Sequence, residues 1–150
     1  MRAGLSTGSV AIVLGTRPET IKVAPLVRVL GDTARVIHTG QHYDNNLSDQ
    51  FLSDQFLAEL RLGQPNFRLD VGGQSRGSQI GDATSQFECH FKEHPPACVI
   101  VHGDTNATVA GALAANALSI PLIHVEAGLR SFDRAMPEEH IGRRRRRCSR

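Results

Sequence analysis

Apolar positions along the chain fall into short unbroken runs, and longer stretches with helical spacing separate them. Val10-Ala-Ile-Val-Leu14 is a continuous apolar run ended by Gly15, the pattern of a strand buried on both faces. Ile21, Ala24, Leu26, Val27 and Leu30 then keep to one helical stripe, closed by Gly31, with Pro25 expected to kink the helix or mark an irregular turn. Arg35-Val-Ile-His38 is a second short strand, and Leu47, Phe51, Leu52, Phe56, Leu57 and Leu60 form a helix face stopped at Gly63-Gln-Pro65. Phe67 to Val71 alternates apolar and polar, and a more weakly patterned helix covers Ser75 to about Glu93, before Pro95-Pro96. Cys98-Val-Ile-Val-His102 is another buried strand, an alanine-rich helix runs from about Thr105 to Leu118, and Pro121 to Val125 is the last strand. Gly111, Ala112, Ala114 and Ala115 suit a helix packed close to the sheet. Strands alternating with helices predict an α/β domain with a parallel, doubly wound sheet and right-handed crossovers.

Length and composition add little to that picture until the end of the chain. The 150 residues match one compact domain, and 40% hydrophobic with 21% charged is ordinary for a globular protein. No apolar run approaches the ~20 residues that span a bilayer, and the start lacks a secretory apolar segment, so a cytoplasmic protein is expected. Cys89, Cys98 and Cys148 have no paired spacing and read as free thiols. The formal charge of +2 is misleading: residues 141–150 hold six arginines and no acid, which leaves −4 for the first 140 residues. Such a block can bind nucleic acid by counterion release, but no aromatic residue is interleaved and no recognition motif precedes it.

In an open parallel sheet, ligands bind beyond the carboxyl ends of the strands. The unusual residues of this chain fall there. Gly15-Thr-Arg-Pro-Glu19 follows the first strand, with the Thr16/Glu19 spacing of a capping box and Pro18 in the first turn. Such a helix start attracts anions; Arg17 adds a bidentate phosphate fork, and Lys22 follows about one turn later. A capped helix with two solvated cations is the plainer alternative. Thr39-Gly-Gln-His-Tyr-Asp44 follows the second strand and by itself is a polar turn. After the Cys98–His102 strand, Asp104 sits at the sheet edge, where either it or Thr105 can cap the next helix. Glu126 ends the last apolar strand, which is costly unless it is paired or used, and Arg130 is a candidate structural partner. By topology Arg17, His42, Asp104 and Glu126 share one edge, a set suited to acid/base work on a phosphorylated ligand. His38, His42, Asp44, His102, His124 and Glu126 are the alternative as a metal set, but no zinc-type ligand spacing occurs, so no metal is expected.

These residues together resemble a known family. Gly15-Thr-Arg-Pro-Glu19 with Lys22 and Ala24-Pro-Leu26, Thr39-Gly-Gln-His42, Val101-His-Gly-Asp-Thr105, and His124-Val-Glu-Ala-Gly-Leu-Arg130 with Met136-Pro-Glu-Glu139 are similar to the motifs of the non-hydrolysing UDP-N-acetylglucosamine 2-epimerases. The likeness is collinear from about residue 10 to residue 140. It implies one Rossmann-like half of a fold of the glycosyltransferase B and glycogen phosphorylase type, with the active site between two such halves. It implies interconversion of UDP-N-acetylglucosamine and UDP-N-acetylmannosamine, by elimination of UDP and its re-addition, without cofactor or metal. It further implies Asp104, Glu126 and Glu138 as acid/base carboxylates, and Arg17, Lys22, Gln41, His42 and Arg130 as substrate-binding residues. A homodimer and a role in cell-envelope polysaccharide are its family-level expectations, with neither nucleic acid nor membrane as partner.

Beyond Glu139 the chain departs from that pattern. Ile141 and Gly142 stand where the family carries Asn-Arg, and the arginine run fits no element of an α/β domain. The expected organisation is therefore residues 1–140 as the amino-terminal half and residues 141–150 as a disordered, non-family tail. A chain without the second domain is expected to be inactive alone, because catalysis needs groups on both sides of the substrate. Two other readings stand beside this one: half of a split glycosyltransferase that works with a partner chain, and an inert or purely binding fragment.

Overall fold

The computed structural model describes residues 8–40, 57–60, 62, 65–69, 71–128, 130–133, 135–136 and 139. Five strands form one parallel sheet: β1 (Val10–Leu14), β2 (Ala34–His38), β3 (Phe67–Arg68), β4 (Cys98–His102) and β5 (Leu122–Val125). Their spatial order is β3-β2-β1-β4-β5, so the chain runs outward from β1 to one edge and then crosses back to β4. The sequence expectation of a doubly wound α/β sheet holds. The reversal point lies between β1 and β4, where Val10 pairs with Cys98 and Val13 with Val101. That is where such a sheet opens a crevice for ligands.

Fully described helices flanking the sheet are α1 (Arg17–Leu30), α2 (Arg76–Glu93) and α3 (Asn106–Ala117). Alternation along the central strands divides the core. Ala11, Val13, Ile37, Val99 and Val101 face α2 and α3, meeting Phe87, Phe91, Ala110 and Ala114. Ile12, Leu14, Val36 and Ile100 face Val23 of α1. Gly111 explains how α3 lies so close to the sheet: a Cβ there would sit 3.1 Å from Val101 and 3.2 Å from Val13.

Several boundaries differ from the sequence reading. The helix expected after the Thr16/Glu19 capping box does begin at Arg17, but it runs uninterrupted through Pro25, where a kink or irregular turn was expected. Pro25 lies on the exposed side, so the carbonyl that its missing N–H leaves unbonded can face water. The strand expected over Phe67–Val71 pairs only at Phe67 and Arg68. Just before it, Asn66 acts as an extra rung, its side-chain oxygen accepting the Val36 N–H at 2.8 Å while its own N–H donates to the Val36 carbonyl at 2.8 Å. β5 is an edge strand rather than a buried one, with Leu122 and Ile123 exposed. The helix expected over Leu47–Leu60 lies mostly outside the described residues, as does the arginine-rich end; residues 57–59 are helical. Among the described residues no helix is long and apolar enough to cross a membrane.

Candidate functional site

The turn from β1 into α1 is organised by Glu19. Its carboxylate, 4% exposed, accepts the backbone N–H groups of Gly15 and Thr16, both at 2.7 Å. The Thr16/Glu19 spacing predicted a reach back to the helix start. It gave no sign of the third contact, in which the Thr105 hydroxyl donates to the other oxygen of Glu19 at 2.7 Å. Glu19 therefore ties together the two loops on either side of the reversal point. Arg17 and Pro18 open the helix beside it, with Arg17 exposed.

The turn from β4 into α3 settles which residue caps. The Thr105 side chain accepts from Thr108 N–H at 3.3 Å, and α3 starts at Asn106. Gly103, at φ 65°, makes the bend before it in a conformation that favours glycine. Asp104 is thus released from capping. It is half-buried and makes no hydrogen bond or ion pair among the described residues. An uncommitted carboxylate at the carboxyl end of a central strand is available to a ligand.

Across from it, Glu126 follows β5 at φ 60°, left-handed although it is not glycine. The expectation that Arg130 would pair with Glu126 is corrected here. Lys22 of α1 does so instead, its Nζ lying 2.9 Å and 3.1 Å from the two carboxylate oxygens. His102 Nε2 lies 3.4 Å from the same Oε2 atom. The Lys22 hydrogen bond holds the Glu126 carboxyl below the usual carboxylate range; partial burial opposes this, and His102 and the Lys22 charge add to it. Arg130 turns to Glu139, which is 3% exposed, and pairs through both Nε and Nη2. Glu139 also accepts the N–H groups of Ser131 at 3.2 Å and Phe132 at 3.3 Å, so the segment after β5 closes around it. That closure draws Arg130 away from Glu126.

Arg17, Lys22, Asp104 and Glu126 thus belong to one edge of the sheet, while Arg130 is engaged a turn further on. Gln41, His42 and Glu138 lie outside the described residues, as does Asp44. Of the metal alternative's histidines other than His102, His124 Nε2 donates to the Gly103 carbonyl at 2.7 Å, and His38 Nδ1 accepts the Gly40 N–H at 3.1 Å. Among the described residues no three His, Cys, Asp or Glu side chains converge on a metal position. Cys89 and Cys98 are free thiols, and burial pushes the Cys98 thiol up. Sequence reading missed the Lys22–Glu126 pair, the bridging role of Glu19 and the approach of His102, all of which need strand order to be seen.

Known proteins share this sequence and this fold. The sequence model of the UDP-N-acetylglucosamine 2-epimerase family matches residues 28–149. UDP-N-acetylglucosamine 2-epimerase of Methanocaldococcus jannaschii is 46% identical over 132 residues, covering 86% of this chain and 35% of that protein. UDP-2,3-diacetamido-2,3-dideoxy-D-glucuronate 2-epimerase of Pseudomonas aeruginosa is 38% identical over 131 residues, covering 85% of this chain and 36% of that protein. Among solved structures, the Neisseria meningitidis UDP-GlcNAc 2-epimerase bound to UDP-GlcNAc superposes with a TM-score of 0.77 at 34% identity, covering 90% of this chain and 37% of the other. The chain spans about a third of the length of the relatives it matches. With its five-stranded parallel sheet matching one domain of those structures, and the family model matching most of its length, the chain belongs to the UDP-N-acetylglucosamine 2-epimerase family.

Proposed function

We propose that this chain supplies the amino-terminal half of a sugar-nucleotide 2-epimerase site, with UDP-N-acetylglucosamine as substrate and UDP-N-acetylmannosamine as product. The observation that carries the reading is Asp104, a half-buried carboxylate with no partner among the described residues, which follows β4 while the Lys22-held Glu126 follows the neighbouring strand β5. Inversion at C2 without a redox step needs a group to remove the C2 proton and one to return a proton from the other face. Two carboxylates in unlike surroundings suit those tasks, Glu126 kept ionised by Lys22 and Asp104 open to the ligand. Elimination of UDP further needs positive charge at the departing diphosphate. Arg17, at the first position of α1, and Lys22 supply it next to a helix N-terminus.

Gln41, His42, Glu138 and Arg130 join the proposal as substrate-binding or acid/base residues on their match to the family motifs. Solved relatives described as bound to UDP-GlcNAc, or to UDP-GlcNAc and UDP, support the choice of substrate. The same reading includes a homodimer and a cytoplasmic location. Turnover requires groups facing the substrate from a second domain, so this chain alone binds the sugar nucleotide weakly and turns it over little.

The test is conversion of UDP-N-acetylglucosamine by the chain alone and by the chain joined in frame to the carboxyl-terminal domain of a relative. Turnover in the joined protein, reduced roughly 100-fold or more by Asp104→Asn, is the expected result. A joined, folded protein that binds UDP but gives no manno product would sink the epimerase reading in favour of a transferase half.

A further inference from the structure

His102 is not among the residues that the family motifs single out for chemistry, yet it is the most enclosed polar side chain near Glu126. It is 3% exposed, on the last position of β4, with Nε2 3.4 Å from Glu126 Oε2 and Nδ1 buried without a hydrogen-bond partner. We propose that His102 is the positioning residue for Glu126: its Nε2–H holds the carboxylate from the protein interior while Lys22 holds it from the solvent side. The assignment rests on reading Glu126 as a site carboxylate.

Two features of the geometry point the same way. First, Glu126 has φ 60°, a conformation that costs a non-glycine residue about 1–2 kcal/mol and persists only where its surroundings hold it. Lys22 is a weak clamp by itself, since its long side chain is half exposed. His102 sits in a strand locked to β5: it pairs with Val125, and Gly103 N–H donates to the Val125 carbonyl at 3.0 Å. The rigid contact is therefore the imidazole.

Second, only one tautomer of a neutral imidazole suits this position. With the proton on Nε2, the ring donates to the carboxylate and leaves a bare lone pair at Nδ1. With the proton on Nδ1, a buried donor goes unpaired and two acceptors face each other at 3.4 Å. Lys22 from α1 and His102 from β4 are the charged or titratable groups bonded to or paired with Glu126 among the described residues.

The test uses this chain as it stands, by nuclear magnetic resonance, and needs no turnover. Imidazole nitrogen shifts are expected to show His102 protonated on Nε2 and bare on Nδ1 at neutral pH; a proton on Nδ1 instead would overturn the proposal. The side-chain carboxyl carbon of Glu126 then reports its own titration. His102→Leu is expected to raise the Glu126 midpoint by about half a pH unit or more, because the polar group that faces the charged carboxylate at 3.4 Å is lost. His102→Gln, whose amide N–H reaches toward the same oxygen, is expected to restore most of that shift. A folded leucine variant with an unmoved midpoint overturns the proposal, and so does a glutamine variant shifted as far as leucine. Should the leucine variant not fold, the tautomer and the glutamine variant decide. Failure of the epimerase reading leaves all of these readouts intact, so the two ideas fail separately.

Discussion

Two carboxylates at the same edge of the sheet have opposite surroundings. Glu19 is enclosed and answered on every side, by two backbone N–H groups and the Thr105 hydroxyl. Asp104, one residue from that hydroxyl, is answered by nothing among the described residues. The difference separates architecture from chemistry. A carboxylate whose lone pairs are all engaged inside the protein positions loops, whereas one left open at the end of a central strand is available to a ligand. Glu126 lies between the two, held by Lys22 yet 31% exposed.

The sharpest way to break this contrast is to remove Glu19. Glu19→Ala leaves two backbone donors and the hydroxyls of Thr16 and Thr105 without this acceptor, and a loss of about 3 kcal/mol in urea unfolding is expected. Asp104→Asn in the same assay is expected to stay within about 0.5 kcal/mol of the parent. Equal losses for the two would mean that Asp104 is structural as well. Thr105→Val comes next. It removes both the α3 cap and the donor to Glu19, for an expected cost of about 1–2 kcal/mol.

Solution pH sharpens the comparison from outside the site. His90 of α2 is buried, stacks on Phe67 with ring centroids 4.1 Å apart, and lies with Nε2 3.3 Å from an Arg35 guanidinium nitrogen. Burial foremost, then the charges of Arg35 and His94, lower its pKa from 6.5, with Glu93 opposing. Above 6.5 the unfolded chain gains no proton there and stability is full. As pH falls below 6.5 the unfolded chain takes up a proton that the folded one resists, and stability declines until the folded pKa is passed. Unfolding midpoints for the parent and His90→Phe between pH 7 and 5 are expected to diverge as the solution is acidified. Parallel curves would assign the acid sensitivity to other groups. The smallest effect belongs to Lys22→Ala, which costs at most about 1 kcal/mol because the pair is partly exposed. It nonetheless raises the Glu126 carboxyl titration, measurable by the same carbon resonance, since the largest lowering cause is removed.

Much of this was legible in the residues, for identifiable reasons. The continuous apolar runs of β1 and β4 and the small-residue face of α3 have one plausible use, as strands covered on both faces and a helix pressed against them. The positions of Arg17, Asp104 and Glu126 followed from the rule that parallel sheets present function at their carboxyl ends. Pairings were not legible. Arg130 is four residues from Glu126 and was the obvious partner, but Glu139 gathers Arg130 together with the Ser131 and Phe132 N–H groups, whereas Lys22 reaches Glu126 from a helix 104 residues away in sequence. Nor did the apolar character of Pro121–Val125 reveal that, among the described residues, β5 has a neighbour on one side only. Spacing along a chain reports which face a residue takes, not which distant residue shares it.

The reversal of strand order has one more consequence, for the time at which the sheet comes together. β1 is synthesised before β4, its partner on one side, and Val10 waits for Cys98. Until the ribosome has released that later stretch, the central strand has an open flank and its hydrogen-bonding groups face a template-free edge. Closing so long a loop is slow, so refolding in milliseconds to seconds, rather than microseconds, is the expected regime. The crevice that gathers Asp104 and Glu126 therefore cannot precede the fold; it is completed only when β4 and β5 arrive.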